Sequence, residues 1–219
     1  MINIQDQENL FKLIANTITK NLSCYAFGGN AMMYYGYKDQ TKDVDILFET
    51  LESRKDFLDA LQALGYRETS LIHIYVPEKL KDPHAPLVYQ RGDSRFDVFV
   101  AKIFKTLLSP RMKEDLYAVH DFKGKHTFTI KVLRREFIVL LKAITSREKD
   151  FDDIVTIVTK TKDFDWQYFI DEVIWQYQHG DSWVLLDTER TLQELKKYVF
   201  VEDKYLQQLY KALGTRKKS

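Results

Sequence analysis

The sequence contains one cysteine, few turn-forming residues and no excess of either charge. Because Cys24 is the only cysteine in the 219-residue chain, neither an internal disulfide nor a cysteine-based zinc cluster can form. The 8 glycines and 4 prolines are about half of the usual share, which argues against long flexible linkers. The 33 basic and 32 acidic residues leave a formal charge of +1, so the overall basic charge typical of nucleic-acid-binding proteins is absent. This overall charge does not exclude a local patch of basic residues on the surface.

Long apolar runs are also absent. The densest apolar stretch, residues 137–144, is interrupted by Lys142 and is far shorter than the ~20 residues that cross a bilayer. Residues 1–20 carry Asp6 and Glu8 and lack the apolar core of a secretory signal. Together with the single cysteine, these features predict a cytoplasmic protein with no membrane partner.

The hydrophobic residues, 45% of the chain, are spaced in a way that predicts an α/β (α+β) fold. In the first part of the chain, short apolar segments that predict strands alternate with helical patterns. The predicted strands are residues 24–27, 43–48, 71–76, 87–90 and 95–101, and the predicted helices are one that ends near Asn21, residues 31–35 and residues 57–64. We therefore predict a small mixed β-sheet flanked by helices over residues 1–131.

From residue 134 onward, the apolar residues follow helical spacing only. The predicted helices cover residues 137–144, 151–158, 166–177 and 206–213. Thr145 and Glu148 have the spacing of a capping box, which predicts that a new helix begins after the first of these. We therefore predict a helical C-terminal region over residues 132–219.

Residues 27–48 carry the pattern with the clearest chemical meaning. Gly28 and Gly29 stand between a predicted strand and a predicted helix, where glycines let a phosphate approach the backbone and the free N–H groups of the helix end. Asp43 and Asp45 are two residues apart on a predicted strand, so both carboxylates project from the same face. Two carboxylates this close repel each other unless a divalent cation lies between them, and oxygen ligands suit Mg²⁺.

Asp97 is the candidate for a third carboxylate, because it lies in a predicted strand, residues 95–101, that is dominated by apolar residues. Two cations held by three aspartates can activate an attacking hydroxyl and neutralise a leaving pyrophosphate, as nucleotidyl and phosphoryl transfer require. Taken singly, the glycine pair is typical of a tight turn and the aspartate pair of a solvated strand edge. Their joint occurrence favours a metal site.

Two runs of residues resemble a known family. The first run is Gly28-Gly29, then Thr41-x-Asp43-x-Asp45, then Asp97 on a later strand. It resembles the DNA polymerase β type nucleotidyltransferase superfamily. The second run is Lys142-Ala143-x-x-x-Arg147-x-Lys149-Asp150-x-x-Asp153. It is similar to the AbiEii-like branch found among toxin–antitoxin and abortive-infection proteins, and the resemblance spans residues 25–158.

The resemblance implies a minimal nucleotidyltransferase fold and the transfer of a nucleoside monophosphate from an NTP to a hydroxyl acceptor, with two Mg²⁺ or Mn²⁺ ions as cofactors. The acceptor would be RNA such as tRNA, a protein or a small molecule. Asp43, Asp45 and Asp97 would be the catalytic metal ligands, with Asp97 near the attacking hydroxyl. Lys142 and Arg147 would contact the triphosphate or the acceptor, and a cognate toxin or antitoxin protein would be a further partner.

The chain departs from the superfamily within the glycine motif. Many members have Gly-Ser where this chain has Gly28-Gly29, so Asn30 or backbone N–H groups would replace the serine hydroxyl that helps to hold the triphosphate. Together with Thr41, these residues form the predicted nucleotide-binding set. A non-catalytic nucleotide-sensing or toxin–antitoxin interaction protein with the same fold stays open, as does phosphoryl transfer to a small hydroxylated compound.

Overall fold

The structure of the protein is a computed structural model, and it describes residues 1–69, 82–145 and 147–214. These residues form two compact units. The first unit comprises the described residues of Met1–Ile103 together with Asp115–Leu133. The second comprises Phe104–Glu114 and the described residues from Arg134 onward.

Helices and strands alternate in the first part of the described chain, and helices alone follow in the last part. The helices are α1 (Ile4–Thr17), α2 (Gly28–Tyr34), α3 (Leu51–Ala63), α4 (Pro110–Glu114), α5 (Arg135–Ala143), α6 (Glu148–Lys160), α7 (Trp166–His179), α8 (Trp183–Leu195) and α9 (Asp203–Leu213). The strands are β1 (Ile2–Asn3), β2 (Leu22–Ala26), β3 (Gln40–Thr41), β4 (Asp43–Phe48), β5 (Arg67–Thr69), β6 (Leu87–Arg91), β7 (Ser94–Val100), β8 (Lys102–Ile103), β9 (Thr106–Leu107), β10 (Leu116–Lys123) and β11 (Thr127–Leu133).

Most of the predicted elements are present, although several bounds differ. β4 has the predicted bounds, whereas the first helix ends at Thr17, earlier than expected. α2 begins at Gly28 rather than at Ala31, so both glycines of the pair lie in its first turn. The predicted strand over residues 71–76 lies outside the described residues.

β10, β11 and α8 are not among the predicted elements. β10 and β11 pair in antiparallel fashion on either side of Gly124, where an added Cβ atom would lie 2.6 Å from the backbone carbonyl carbon of Ala15. Only a residue without a side chain fits there. The apolar stripe of α8 is interrupted by Asp187 and Thr188, which are buried although they are polar, so apolar spacing alone does not reveal this helix.

The break between α5 and α6 lies where the sequence predicts it, but the predicted capping box is wrong. Arg147 occupies the N-cap position of α6, and its side chain makes no capping hydrogen bond. The Thr145 hydroxyl instead contacts the carbonyl oxygen of Lys142 at 2.9 Å and Asp150 Oδ2 at 2.7 Å. The hydroxyl therefore donates to a carboxylate, and it also accepts a long hydrogen bond of 3.5 Å from the backbone N–H of Arg147.

Eight strands of the first unit belong to one mixed sheet: seven follow the order β10-β11-β2-β4-β7-β6-β5, and β8 pairs with β7 beside this path. β11 pairs with β2, and β4 with β7, in parallel, whereas the other neighbours are antiparallel. Phe57 of α3 contacts Phe48 of β4, Phe96 of β7 and Phe128 of β11, which forms an aromatic core on one face. Because side chains alternate along a strand, the odd-numbered residues of β4 and β7 face the opposite side.

The second unit is built around α5. Every residue of this helix from Glu136 to Ala143 is buried, and α5 contacts α6, α7 and α8. An apolar helix that is enclosed in this way forms the core of a helical unit. In the described part of the chain, no helix combines the length and the apolar character needed to cross a membrane.

A buried polar pair joins the segment Phe104–Glu114 to α7 within the second unit. Gln176 Nε2 donates to the carbonyl oxygen of Leu107 at 2.8 Å, and Leu107 N donates to Gln176 Oε1 at 2.9 Å. The same amide group donates to Glu172 Oε1 at 2.9 Å. Glu172 is 1% exposed, and this burial raises the pKa of its carboxyl above the ordinary value.

We expect Glu172 to make the free energy of unfolding fall as the pH rises, and we expect Glu172→Gln to remove this fall. The folded state holds the Glu172 proton more tightly than the unfolded state does. Its stabilising contribution is therefore fully present below the ordinary glutamate pKa and is lost as the pH rises through the raised folded pKa. The slope is at most about 1.4 kcal/mol per pH unit, and glutamine, which does not titrate, lacks it.

Urea unfolding of both proteins between about pH 4.5 and pH 8 measures this difference. The fluorescence of Trp166, Trp175 and Trp183 is a suitable signal, because all three tryptophans lie in the second unit. Parallel pH profiles of the free energy of unfolding would contradict the expectation.

Candidate functional site

Three aspartates and one arginine lie together on one face of the sheet. In the parallel register of β4 and β7, Asp43 is opposite Arg95 and Asp45 is opposite Asp97. All four residues are partly buried, and their three carboxylates and one guanidinium leave a formal charge of −2. We call these four residues the acidic cluster.

The Arg95 guanidinium is the positive charge within the acidic cluster. Its Nε donates to Asp97 Oδ1 at 2.6 Å and its Nη2 to Asp97 Oδ2 at 2.8 Å, which is a bidentate pair. The same Nε lies 3.6 Å from Asp43 Oδ1. Partial burial alone would lower the pKa of Arg95, but the hydrogen bonds to Asp97 and the charges of Asp97, Asp43 and Asp45 raise it overall. Arg95 is therefore firmly cationic.

The start of α2 packs directly against Asp45. Gly28 has a φ of +60°, and an added Cβ atom there would lie 2.2 Å from Asp45 Oδ2. Gly29 N donates to the same oxygen at 3.4 Å, and Asp45 N donates to Asn30 Oδ1 at 3.3 Å. At Gly29, an added Cβ atom would lie 2.3 Å from Thr41 Oγ1. Gly28, Gly29, Asn30 and Thr41 thus pack together with Asp45. The two glycines leave space for the side-chain oxygens of Asp45 and Thr41.

We expect Gly28→Ala to displace Asp45 and to lower the free energy of unfolding by about 1–3 kcal/mol, because alanine is strained at positive φ and its Cβ overlaps Asp45 Oδ2. Gly36→Ala is the matched control. Gly36 also has a positive φ, +72°, but no atom lies within 4 Å of an added Cβ, so this substitution adds strain without overlap. Chemical denaturation measures the decrease in the free energy of unfolding for both variants. Equal decreases would mean that the overlap with Asp45 does not destabilise the protein.

The donor set of the acidic cluster suits Mg²⁺, since it offers carboxylate oxygens from two adjacent strands. In the arrangement seen here, however, no group of three or more His, Cys, Asp or Glu side chains within the described residues is placed to hold a metal ion. The Arg95 guanidinium takes up the oxygens of Asp97 instead. Asp43, Asp45 and Asp97 therefore suit a divalent cation by the chemistry of their oxygens, while in this arrangement both oxygens of Asp97 accept hydrogen bonds from Arg95.

The predicted phosphate-binding residues Lys142 and Arg147 lie in the second unit and bind carboxylates there. Lys142 Nζ lies 2.9 Å from Asp150 Oδ1 and 2.6 Å from Asp153 Oδ2, and these three side chains are at most 9% exposed. Arg147 Nε lies 2.6 Å from Asp150 Oδ2, but the Arg147 side chain is 69% exposed. Both residues also line an open pocket of about 330 Å³, together with Arg190.

Ionic neighbours also govern the protonation of this buried network. Burial alone would raise the pKa of Asp150, but Lys142 and the hydrogen bonds from Thr145 and Arg147 lower it below its ordinary value. Likewise, burial alone would lower the pKa of Lys142, and the two carboxylates raise it. Lys142 and Asp150 are therefore both charged throughout the neutral pH range.

We expect Lys142→Ala to destabilise the second unit much more than Arg147→Ala. Removal of Lys142 takes a buried cation away from two buried carboxylates, Asp150 and Asp153, which costs about 3–5 kcal/mol. Removal of the exposed Arg147 side chain costs less than about 1 kcal/mol. Urea unfolding followed by tryptophan fluorescence measures both values, and similar losses would contradict a structural role for Lys142.

Arg95 is a site residue that the sequence patterns did not identify. It stands two residues before Asp97, so strand alternation puts both side chains on one face, and this signal is readable from the sequence. The contact with Asp43 is different, because it depends on the parallel register of β4 with β7. No short-range pattern in the sequence specifies that register.

Comparisons with known proteins were made on the whole chain. A search against protein-family models finds no match, and a search of curated proteins finds none either.

Proposed function

We propose that this protein is a magnesium-dependent nucleotidyltransferase that transfers a nucleoside monophosphate from an NTP to a hydroxyl acceptor. The observation that carries the proposal is the meeting of Asp43, Asp45 and Asp97 on one face of a mixed sheet, against the start of α2. A minimal nucleotidyltransferase fold, implied by the sequence resemblance, is part of the same proposal. The mixed sheet flanked by helices is compatible with it.

In the proposed reaction, a bond forms between the acceptor oxygen and the α-phosphorus of the NTP. The bond from the α-phosphorus to the oxygen that bridges it to the β-phosphorus breaks, and pyrophosphate leaves. Asp97, whose carboxylate lies at the acidic cluster, accepts the proton of the acceptor hydroxyl. Asp43, Asp45 and Asp97 would hold the Mg²⁺ ions, which neutralise phosphate charge and favour ionisation of the hydroxyl when they are bound.

The remaining predicted residues have separate parts in this proposal. Backbone N–H groups at Gly28 and Gly29, with Asn30 and Thr41, would contact the phosphates on the side of α2. In the second unit, the exposed Arg147 suits contact with phosphate or acceptor better than Lys142, whose charge is matched by two buried carboxylates. Of these two residues, Arg147 is therefore the accessible one, and Lys142 joins α5 to α6 within the second unit.

The acceptor class is left open by the overall charge. A formal charge of +1 favours neither RNA nor protein nor a small molecule. The resemblance to toxin–antitoxin proteins adds a cognate toxin or antitoxin as a proposed partner. The single cysteine favours the cytoplasm as the proposed location.

We expect label from one α-labelled NTP to appear on one acceptor when the protein is incubated with Mg²⁺ and a mixture of tRNA and cell protein. Asp45→Asn should lower the rate about 100-fold or more, because it removes a charged metal ligand while keeping the shape of the side chain. Asp59→Asn is the matched control, since Asp59 is an exposed residue of α3, the helix that packs on the opposite face of the sheet. Equal labelling by the Asp45 and Asp59 variants would contradict the assignment.

One observation favours a second function, a non-catalytic nucleotide-sensing or interaction protein with the same fold. Arg95 already neutralises part of the acidic cluster, as a residue would in a site that has no need of metal ions. In that case, an NTP raises the melting temperature without any transfer of label, because a ligand stabilises the state that it binds. A rise that needs Mg²⁺ and is abolished by Asp45→Asn, together with labelled acceptor, favours the enzyme.

A further inference from the structure

We infer that Arg95 is an internal counter-ion that competes with divalent cations for the acidic cluster, so that metal binding requires its guanidinium to leave Asp97. The inference rests on the metal site of the proposed function. It adds a residue that sets the affinity of that site, and this residue belongs to no part of the predicted motif.

The hydrogen-bond geometry supports direct competition. Both carboxylate oxygens of Asp97 are engaged by Arg95, at 2.6 and 2.8 Å. A metal ion at Asp97 would need at least one of these oxygens, at about 2.0–2.1 Å for Mg²⁺. An oxygen held at this distance by a metal ion would put the guanidinium close to a second positive charge. The two cations therefore exclude each other at Asp97.

The same guanidinium also reaches the second strand of the cluster. Arg95 Nε lies 3.6 Å from Asp43 Oδ1, so one side chain acts on carboxylates of both β4 and β7. With Arg95 in place the cluster carries a formal charge of −2, and without its charge the three aspartates carry −3. Loss of the Arg95 charge therefore increases the attraction for a divalent cation and also frees its ligands.

Departure of Arg95 from the cluster is compatible with its place in the fold. Its side chain is 34% exposed, and it stands near the start of β7, one residue after Ser94. On the other side of β7, its partner in the register is Gln90, an exposed residue of β6. A long, partly exposed side chain of this kind can turn toward solvent without opening the aromatic core on the opposite face.

The test is a titration with Mn²⁺ alone, in the absence of nucleotide, into the full chain. Free Mn²⁺ is followed by its electron paramagnetic resonance signal, so the readout is independent of activity. We expect Arg95→Gln to bind Mn²⁺ at least about tenfold more tightly than the unsubstituted protein. Arg95→Lys keeps the charge but loses the bidentate pair, and we expect an intermediate affinity.

Two further variants serve as controls. Lys123→Gln removes one positive charge from β10, at the far edge of the same sheet, and should leave the affinity for Mn²⁺ unchanged. Asp45→Asn in the Arg95→Gln background should abolish the gain, because it removes a proposed ligand. Circular dichroism of each variant establishes that it is folded. If Arg95→Gln is not folded, the Mn²⁺ affinity of Arg95→Lys decides whether Arg95 competes with the metal ion.

The outcomes separate this inference from the proposed function. Equal Mn²⁺ affinity for the unsubstituted protein and both Arg95 variants would overturn the competition and leave the metal site intact. Weaker binding by Arg95→Gln would also overturn it, since Arg95 would then assist the metal ion. Failure of all folded variants to bind Mn²⁺ would overturn both the inference and the metal site of the proposed function.

Discussion

The parallel pairing of β4 with β7 is the constraint on which the site depends. Its register puts Asp45 beside Asp97 and Asp43 beside Arg95, while Val44 and Phe96 face the aromatic core on the other side of the sheet. A shift by one residue would exchange the two faces of either strand, so burial of the core also fixes the position of the charges. The apolar face of the sheet thereby determines the geometry of its polar face.

The two units deal with partly buried charge in different ways. In the second unit, Lys142 is enclosed with Asp150 and Asp153, and each of these three side chains has an opposite charge within hydrogen-bond distance. Such a network is a structural element whose members cannot be removed singly without a large cost. In the first unit, the Arg95 guanidinium lies beside the carboxylates of Asp97 and Asp43, and the acidic cluster keeps a formal charge of −2. We therefore place the proposed cation site at this cluster, where negative charge is in excess, and not at the charge-balanced network of the second unit.

Gly28 and Gly29 are required for a reason more specific than backbone flexibility. Both residues lie in the first turn of α2, where a side chain would overlap Asp45 or Thr41. Close approach of the helix to β4 at Gly28 and to β3 at Gly29 therefore depends on the missing side chains. In the proposed function, the same two glycines would give phosphate access to the backbone. Packing and ligand binding would therefore both require glycine at positions 28 and 29.

The sequence by itself determined the local features of this protein. Alternation gave β4 its bounds and put Asp43 and Asp45 on one face, and apolar spacing located α5, α6, α7 and α9, because these patterns depend on neighbours within a few residues. Only the tertiary structure decided the parallel registers and the pairing of β11 with β2. It also decided that Phe104–Glu114 belongs to the second unit, and it determined the partners of Arg95 and Lys142. These features join residues that are far apart in the chain, and their energy comes from contacts that no short pattern encodes.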